Sequence, residues 1–140
     1  MKKLYLSVLI VLLIAAAFAG CAGSEPDYAE PIVENILASI DSGDYEAFSR
    51  DLGDTLKSAM TEDAFNSLKD LLDSKAGRYQ QKSFRDAAQT TQNGIKMTVA
   101  VYTAKYSDEP GDVIVTVTFA GDEQKKVEGL FFNSPKLREQ

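Results

Sequence analysis

Histidine is absent from this 140-residue chain, and cysteine occurs once, at Cys21. These two scarcities remove the parts for several chemistries: internal disulfides, cysteine or histidine zinc sites, the serine triad and the cysteine–histidine pair. Positive charge is also short, with 15 Lys and Arg against 21 Asp and Glu. That balance argues against nucleic acid as a partner, because binding it depends on neutralising phosphates. No phosphate-cradling glycine loop is present. Asp41, Asp44, Glu46 and Asp51 lack the alternating oxygen-ligand spacing of a calcium hand, and Asp41 and Asp44 read instead as helix caps. The expectation is no metal and no cofactor. Carboxylates, Lys, Arg, Tyr and Ser/Thr are left to carry any activity.

Long apolar runs are equally scarce, with one exception. Lys2-Lys3 precede the stretch Leu4 to Phe18, which closes on Ala19-Gly20-Cys21. A charged start, an apolar run and small residues before a cut site are the three parts of a secretory signal. Small residues directly before a cysteine resemble the lipobox of bacterial and some archaeal lipoproteins, in which the thiol is joined to diacylglycerol and becomes the new N-terminus. Phe18 departs from the usual Leu, Val or Ile at that place. The resemblance implies residues 1–20 as signal peptide and Cys21 as the lipid site. The partner is then the membrane, and the cell envelope outside the cytoplasm is the location. An uncleaved spanning helix is the competing reading, since the run approaches the roughly twenty residues needed to cross a bilayer. A soluble product cut near Ala15-Ala16-Ala17 is a third.

From Cys21 onward 120 residues remain, enough for one domain with its own core. Residues 21–28 read as a polar tether, 29–135 as a single domain and 136–140 as a tail. Ile32, Val33, Ile36, Leu37 and Ile40 recur at three- and four-residue intervals, which predicts a helix with Pro31 in its first turn and Gly43 at its end. Asp44 caps a second helix carrying Tyr45, Phe48 and Leu52, broken near Gly53 and restarted by Asp54. Thr61 opens another with Phe65, Leu68 and Leu72 on its buried stripe, closed by Gly77. Beyond Arg78 the period becomes alternating. A weakly patterned strand spans Tyr79 to Ala88. In the next, Ile95, Met97, Val99 and Val101 point one way, and Lys96, Thr98, Ala100, Tyr102 and Tyr106 the other. After a turn at Asp108-Glu109-Pro110-Gly111, Val113, Val115, Val117 and Phe119 alternate with Ile114, Thr116 and Thr118. A turn at Gly121-Asp122 leads to a last strand from Lys126 to Phe132. The predicted class is α+β: N-terminal helices packed on a curved antiparallel sheet of about four strands. The expected core is Ile36, Ile40, Phe48, Phe65, Leu68, Leu72, Val99, Val101, Val115, Val117 and Phe131.

Gly43-Asp44-Tyr45 with Phe48, Lys57 to Thr61, Gly77 ahead of the strands, and Val127-Glu128-Gly129-Leu130-Phe131-Phe132 followed by Ser134-Pro135 together resemble the domain-of-unknown-function family 3887. The resemblance covers about Ala29 to Pro135. It implies the cystatin-like cone of the nuclear transport factor two-like superfamily, and its motifs carry no catalytic residue to transfer.

Charge is uneven: Cys21 to Gly77 carries 13 acidic and 4 basic groups, Arg78 to Gln140 carries 8 and 9. A solvated helix exterior explains this acidic half. The sheet face of Thr98, Tyr102, Tyr106, Thr116 and Thr118 is the candidate surface for a protein partner or homodimer, since tyrosine offers apolar area with a polar tip. The reading is a membrane-anchored, non-enzymatic binding module. Its alternatives are an enzyme with a carboxylate–tyrosine pocket and a structural homo-oligomer. An open cavity holding a carboxylate beside a tyrosine would favour the enzyme.

Overall fold

The computed structural model describes residues 23–139. Cys21 and the signal-like run lie outside the described residues. The elements run α1 (Ala29–Ser42), α2 (Tyr45–Ser49), α3 (Asp54–Ala59), α4 (Glu62–Lys75), β1 (Tyr79–Gln92), β2 (Ile95–Tyr106), β3 (Glu109–Ala120), β4 (Val127–Asn133) and α5 (Pro135–Arg138). The strands form one antiparallel sheet in the order β1-β2-β3-β4, and the helices precede it, giving the α+β arrangement. Helix ends fall where side-chain chemistry puts them. Gly43, at φ 78°, ends α1 in the left-handed conformation, the Asp44 carboxylate accepts from the Ala47 N–H at 3.0 Å, and the Thr61 hydroxyl accepts from Ala64 at 3.3 Å.

The apolar stripe of α1, with Val33, Ile36 and Leu37 fully buried, packs on the same core as Val113, Val115, Val117 and Phe119 of β3. Phe48 and Phe65 meet at 4.8 Å between ring centroids, and Tyr45 meets Phe65 edge-on at 5.4 Å. Of the expected core, Ile36, Ile40, Phe48, Phe65, Leu72, Val115 and Val117 lie in it. Leu68 is only partly buried, and Phe131 is 50% exposed.

Two phases differ from the sequence reading. In β2 the most deeply buried set is Ala100, Tyr102, Ala104 and Tyr106, with Val99 also buried at 9% exposure; the set is paired with the core side of β3: Tyr102 lies opposite Val115 and Ala104 opposite Val113. Val99 and Val101 pair with Thr118 and Thr116 on the outer face. Alternating small and large side chains let a helix approach the sheet closely at Ala100 and Ala104, both fully buried, whereas hydrophobicity alone favours the valines. In β4 the register shifts between Val127 and Gly129. Glu128 is the extra residue of this bulge, so Val127 and Phe131, four apart, lie on opposite faces. Pro110 and Gly111 also belong to β3 rather than to a turn, and Glu109 is buried there.

The stretch expected as a tether is docked on the domain from Gly23 onward. The Gly23 N–H lies 3.1 Å from the Ala87 carbonyl and 3.0 Å from Asp86 Oδ1, the Tyr102 hydroxyl donates to Glu25 Oε1 at 2.7 Å, and Tyr28 packs edge-on against Phe119 at 5.2 Å. The expected tail forms α5, with Leu137 partly buried.

Candidate functional site

Three connections open a cleft between α4 and the free side of β4. Leu52 forms a short parallel bridge with Val127, tied by Gly53 N–H to Val127 C=O and Val127 N–H to Asp51 C=O, each at 2.8 Å. This sets α3 beside β4. Met60 then ends α3, held by the Tyr45 hydroxyl donating to its carbonyl at 2.9 Å. At the other end, Glu109 accepts from the N–H groups of Gly111 and Lys136, both at 3.0 Å, and Ser134 caps α5 through the Leu137 N–H at 3.2 Å. Burial acts most strongly on the Glu109 carboxyl and pushes its pKa up, but the bonds from Ser134, Gly111 and Lys136 outweigh it and leave the group below its ordinary value. The anion thus locks α5 onto the start of β3 and brings Leu137 to the cleft.

The cleft encloses about 260 Å³. Leu68, Leu71 and Leu72 come from α4, Leu130, Phe131 and Phe132 from β4, and Met60 and Leu137 complete the lining. Leu71 is 44% and Phe131 50% exposed, two of the three large apolar side chains among the described residues that stand out in this way. Among the described residues, no tyrosine and no carboxylate lines it.

The tyrosine–carboxylate pairs lie elsewhere, where α1 crosses β1 and β2. The Tyr79 hydroxyl donates to Glu34 at 2.8 Å, and the Lys82 ammonium bridges Glu30 and Glu34 at 2.9 and 3.1 Å with its side chain 7% exposed. Lys82 sits 5.9 Å from the centre of the Tyr102 ring, which also meets Phe84 edge-on. Burial is the largest influence on Lys82 and lowers its pKa, yet the bonds and charges of Glu30 and Glu34 together carry it above the ordinary lysine value. Burial first, then the Glu25 and Glu34 bonds, push the Tyr102 and Tyr79 phenols well above their ordinary value. Burial does the same to Tyr106, reinforced by the charges of Asp41 and Asp73. These groups hold their protons tightly and are engaged in packing α1 onto the sheet.

Asp41 is not a helix cap. It receives the Arg78 guanidinium at 3.0 and 2.8 Å and the Tyr79 N–H at 3.0 Å. The Arg78 bond is the main reason its carboxyl lies below the usual range.

The five residues expected to share one surface are divided. Thr98, Tyr102 and Tyr106 lie on the helix side of β2, with both tyrosines buried, whereas Thr116 and Thr118 lie on the outer face of β3, half-buried opposite Val101 and Val99. The corrected β2 phase accounts for this. The cleft residues were legible individually as apolar positions, but Leu71 interrupts the α4 stripe and Phe131 is displaced by the bulge. Those two irregularities were the available signal. Among the described residues no group of three or more His, Cys, Asp and Glu is arranged to hold a metal ion, and no helix is long and apolar enough to cross a membrane.

A helix-on-sheet α+β domain with an apolar side cleft is thus the class that fold and site define. The chain belongs to the family described as "Protein of unknown function (DUF3887)", which matches residues 33–130; the fold is compatible with the cystatin-like cone. No curated protein and no solved structure matches it.

Proposed function

We propose that this protein is a lipid-anchored envelope module, attached through Cys21 and facing outside the cytoplasm, that binds apolar side chains of a partner protein in the cleft between α4, β4 and α5. The anchoring rests on the charged start, apolar run and Ala19-Gly20-Cys21 of the N-terminus. The observation that carries the binding role is the separation of parts: the side chains that line the cleft are apolar, while the tyrosine–carboxylate pairs are spent on packing. Proton transfer in a chain without histidine needs a carboxylate, phenol or lysine facing the space where a substrate sits, and none is among the described residues that line this cleft. At about 260 Å³ it falls below the roughly 300–1,000 Å³ typical of small-molecule sites. One or two anchoring side chains of a partner suit it better, as at the centre of a protein interface.

A photocrosslinking amino acid placed at Leu71 or Phe131 in intact cells tests this reading. A discrete protein adduct from both positions, absent from the same probe at Gln89 in β1, is expected. Adducts of the chain only with itself would assign the cleft to a homo-oligomer, and no adduct at either position would remove the binding role.

A further inference from the structure

The cleft follows an edge of the sheet and not one of its faces. We propose that the partner protein enters it as an extended segment and adds a fifth strand beside β4, bonded to the backbone of Leu130 and Phe132. This rests on the partner binding proposed above for the same cleft and names the form in which the partner binds.

β4 ends the strand order and has β3 on one side only. One bond fixes which of its backbone groups face outward. The Ala120 N–H donates to the Lys126 carbonyl at 2.8 Å, so Ala120 turns its backbone groups toward the β4 side. Successive residues of a strand turn theirs to opposite sides, and Thr118, Thr116 and Ile114 therefore share the direction of Ala120. Their partners are Gly129, Phe131 and Asn133, which face β3 in return. Leu130 and Phe132, set between these, turn N–H and C=O to the free edge. The start of β4 agrees. Val127 is bonded on its outer side to Asp51 and Gly53, and the extra residue of the bulge, Glu128, moves the outward phase from odd to even positions. Among the described residues, no backbone group of another element is bonded to Leu130 or Phe132 along that edge.

The side chains point to the same place. Leu130 and Phe132 lie opposite Val117 and Val115 on the helix side, and Phe131 lies opposite Thr116 on the outer face. All three line one cleft. The two faces of a strand share only its edge, so the open space runs along that edge, where a further strand would lie about 4.8 Å from β4. Alternate side chains of such a strand would meet the leucines of α4 and the ring of Phe131, while its backbone supplied the bonds.

The opposite edge is closed to pairing of this kind. β1 shifts register twice, Gly23 is bonded to it at Ala87, and Arg85 and Asp86 place charge there. Bulges, charges and covering segments are the devices by which sheets keep an edge from pairing. β4 carries them only at its start, where Leu52 lies on Val127 and Glu128 occupies the bulge. From Gly129 to Asn133 it has no charge and no proline. A second folded copy pairing β4 with β4 would bring its own α4 to this edge, so a slot already walled by one α4 suits a single extended chain.

The test maps the partner residues that carry the adduct when the photocrosslinking amino acid stands at Leu71 or at Phe131 in intact cells. Mass spectrometry should place both sets within one segment of roughly six residues, the length of an ordinary strand. The edge itself is probed by Leu130→Pro, which removes the outward N–H at a position where an edge strand accepts proline, against Leu130→Val, which keeps it. With the probe at Leu71, the adduct should be about tenfold weaker or more in the proline variant than in the valine variant, at equal circular dichroism. Adducts in two separate segments, adducts spaced three and four apart as on a helix, or equal yields from the two variants would overturn strand addition and leave the cleft a binding site. Adducts of the chain only with itself would overturn the partner strand in favour of a second copy. No adduct at either position would remove the binding role and the added strand together. The mapping uses no change at the edge, so it decides the matter even where Leu130→Pro fails to fold.

Discussion

Ala104→Leu and Val101→Ala, on opposite faces of β2, separate the two readings of that strand's phase. Ala104 is fully buried between the sheet and the helices, and three added carbons must displace packed atoms there. Overpacking of this kind costs about 1–3 kcal/mol. Val101 is half-buried on the outer face opposite Thr116. Its two methyl groups contribute at most about 0.8 kcal/mol each if fully buried, so Val101→Ala should cost under about 1 kcal/mol. For a domain of this size 1 kcal/mol lowers Tm by about 4 °C, so Ala104→Leu should lose about 4–12 °C and Val101→Ala under about 4 °C. Urea unfolding followed by circular dichroism measures both, and an unchanged m value confirms that only stability moved. If Val101→Ala proves the more damaging of the two, the valines face the core and the structural phase is wrong.

Stability should fall as pH rises above about 10: the native state keeps protons on Tyr79, Tyr102 and Tyr106 that the unfolded chain releases near the ordinary value of 10.0, so ΔG declines as pH rises. Urea titrations at stepped alkaline pH check this, and a flat profile would contradict it. On the acid side, Asp41 is stabilised as the anion by Arg78, so its contribution is complete above the ordinary 3.8 and is lost as pH falls through the depressed folded value. Asp41→Asn should flatten that part of the acid limb. Gly77→Ala should destabilise by more than about 1 kcal/mol, since φ is +90° and a Cβ would sit 2.3 Å from Ser107 Oγ; thermal melting reads it. Asp44→Ala removes the cap of α2 and should cost about 1 kcal/mol in the same assay.

The helices were legible because their signals are local. Gly43, Asp44, Thr61 and Gly77 each act within one turn of the chain, and all stand where the sequence places them. The strands were harder for a definable reason. β1 shifts register between Tyr79 and Gln81 and again between Phe84 and Asp86, so its helix-side residues Tyr79, Lys82, Phe84 and Ala87 are spaced three, two and three apart. Strict alternation has no way to recognise that set. In β2 both phases are apolar, and the choice between valines and an alanine–tyrosine ladder depends on the helix that covers it. The cleft emerges only from the third dimension, because Leu71, Phe131 and Leu137 come together through the Glu109 lock and the β4 bulge. Residues 23–28 read as tether because polar residues predominate, yet their backbone and Glu25 find partners more than sixty positions away.

The affinity of the crosslinked partner for the purified protein, compared between wild type, Phe131→Asp and Tyr102→Phe, tests the central claim most directly. Phe131 is half-exposed at the cleft mouth, so aspartate there should leave the fold intact and desolvate a charge against the partner. The expected loss is about 30-fold or more, the level of an interface anchor worth about 2 kcal/mol. Tyr102→Phe, remote from the cleft, should bind as wild type. Equal affinity for wild type and Phe131→Asp, or a loss confined to Tyr102→Phe, would contradict the assignment of binding to the α4–β4–α5 cleft.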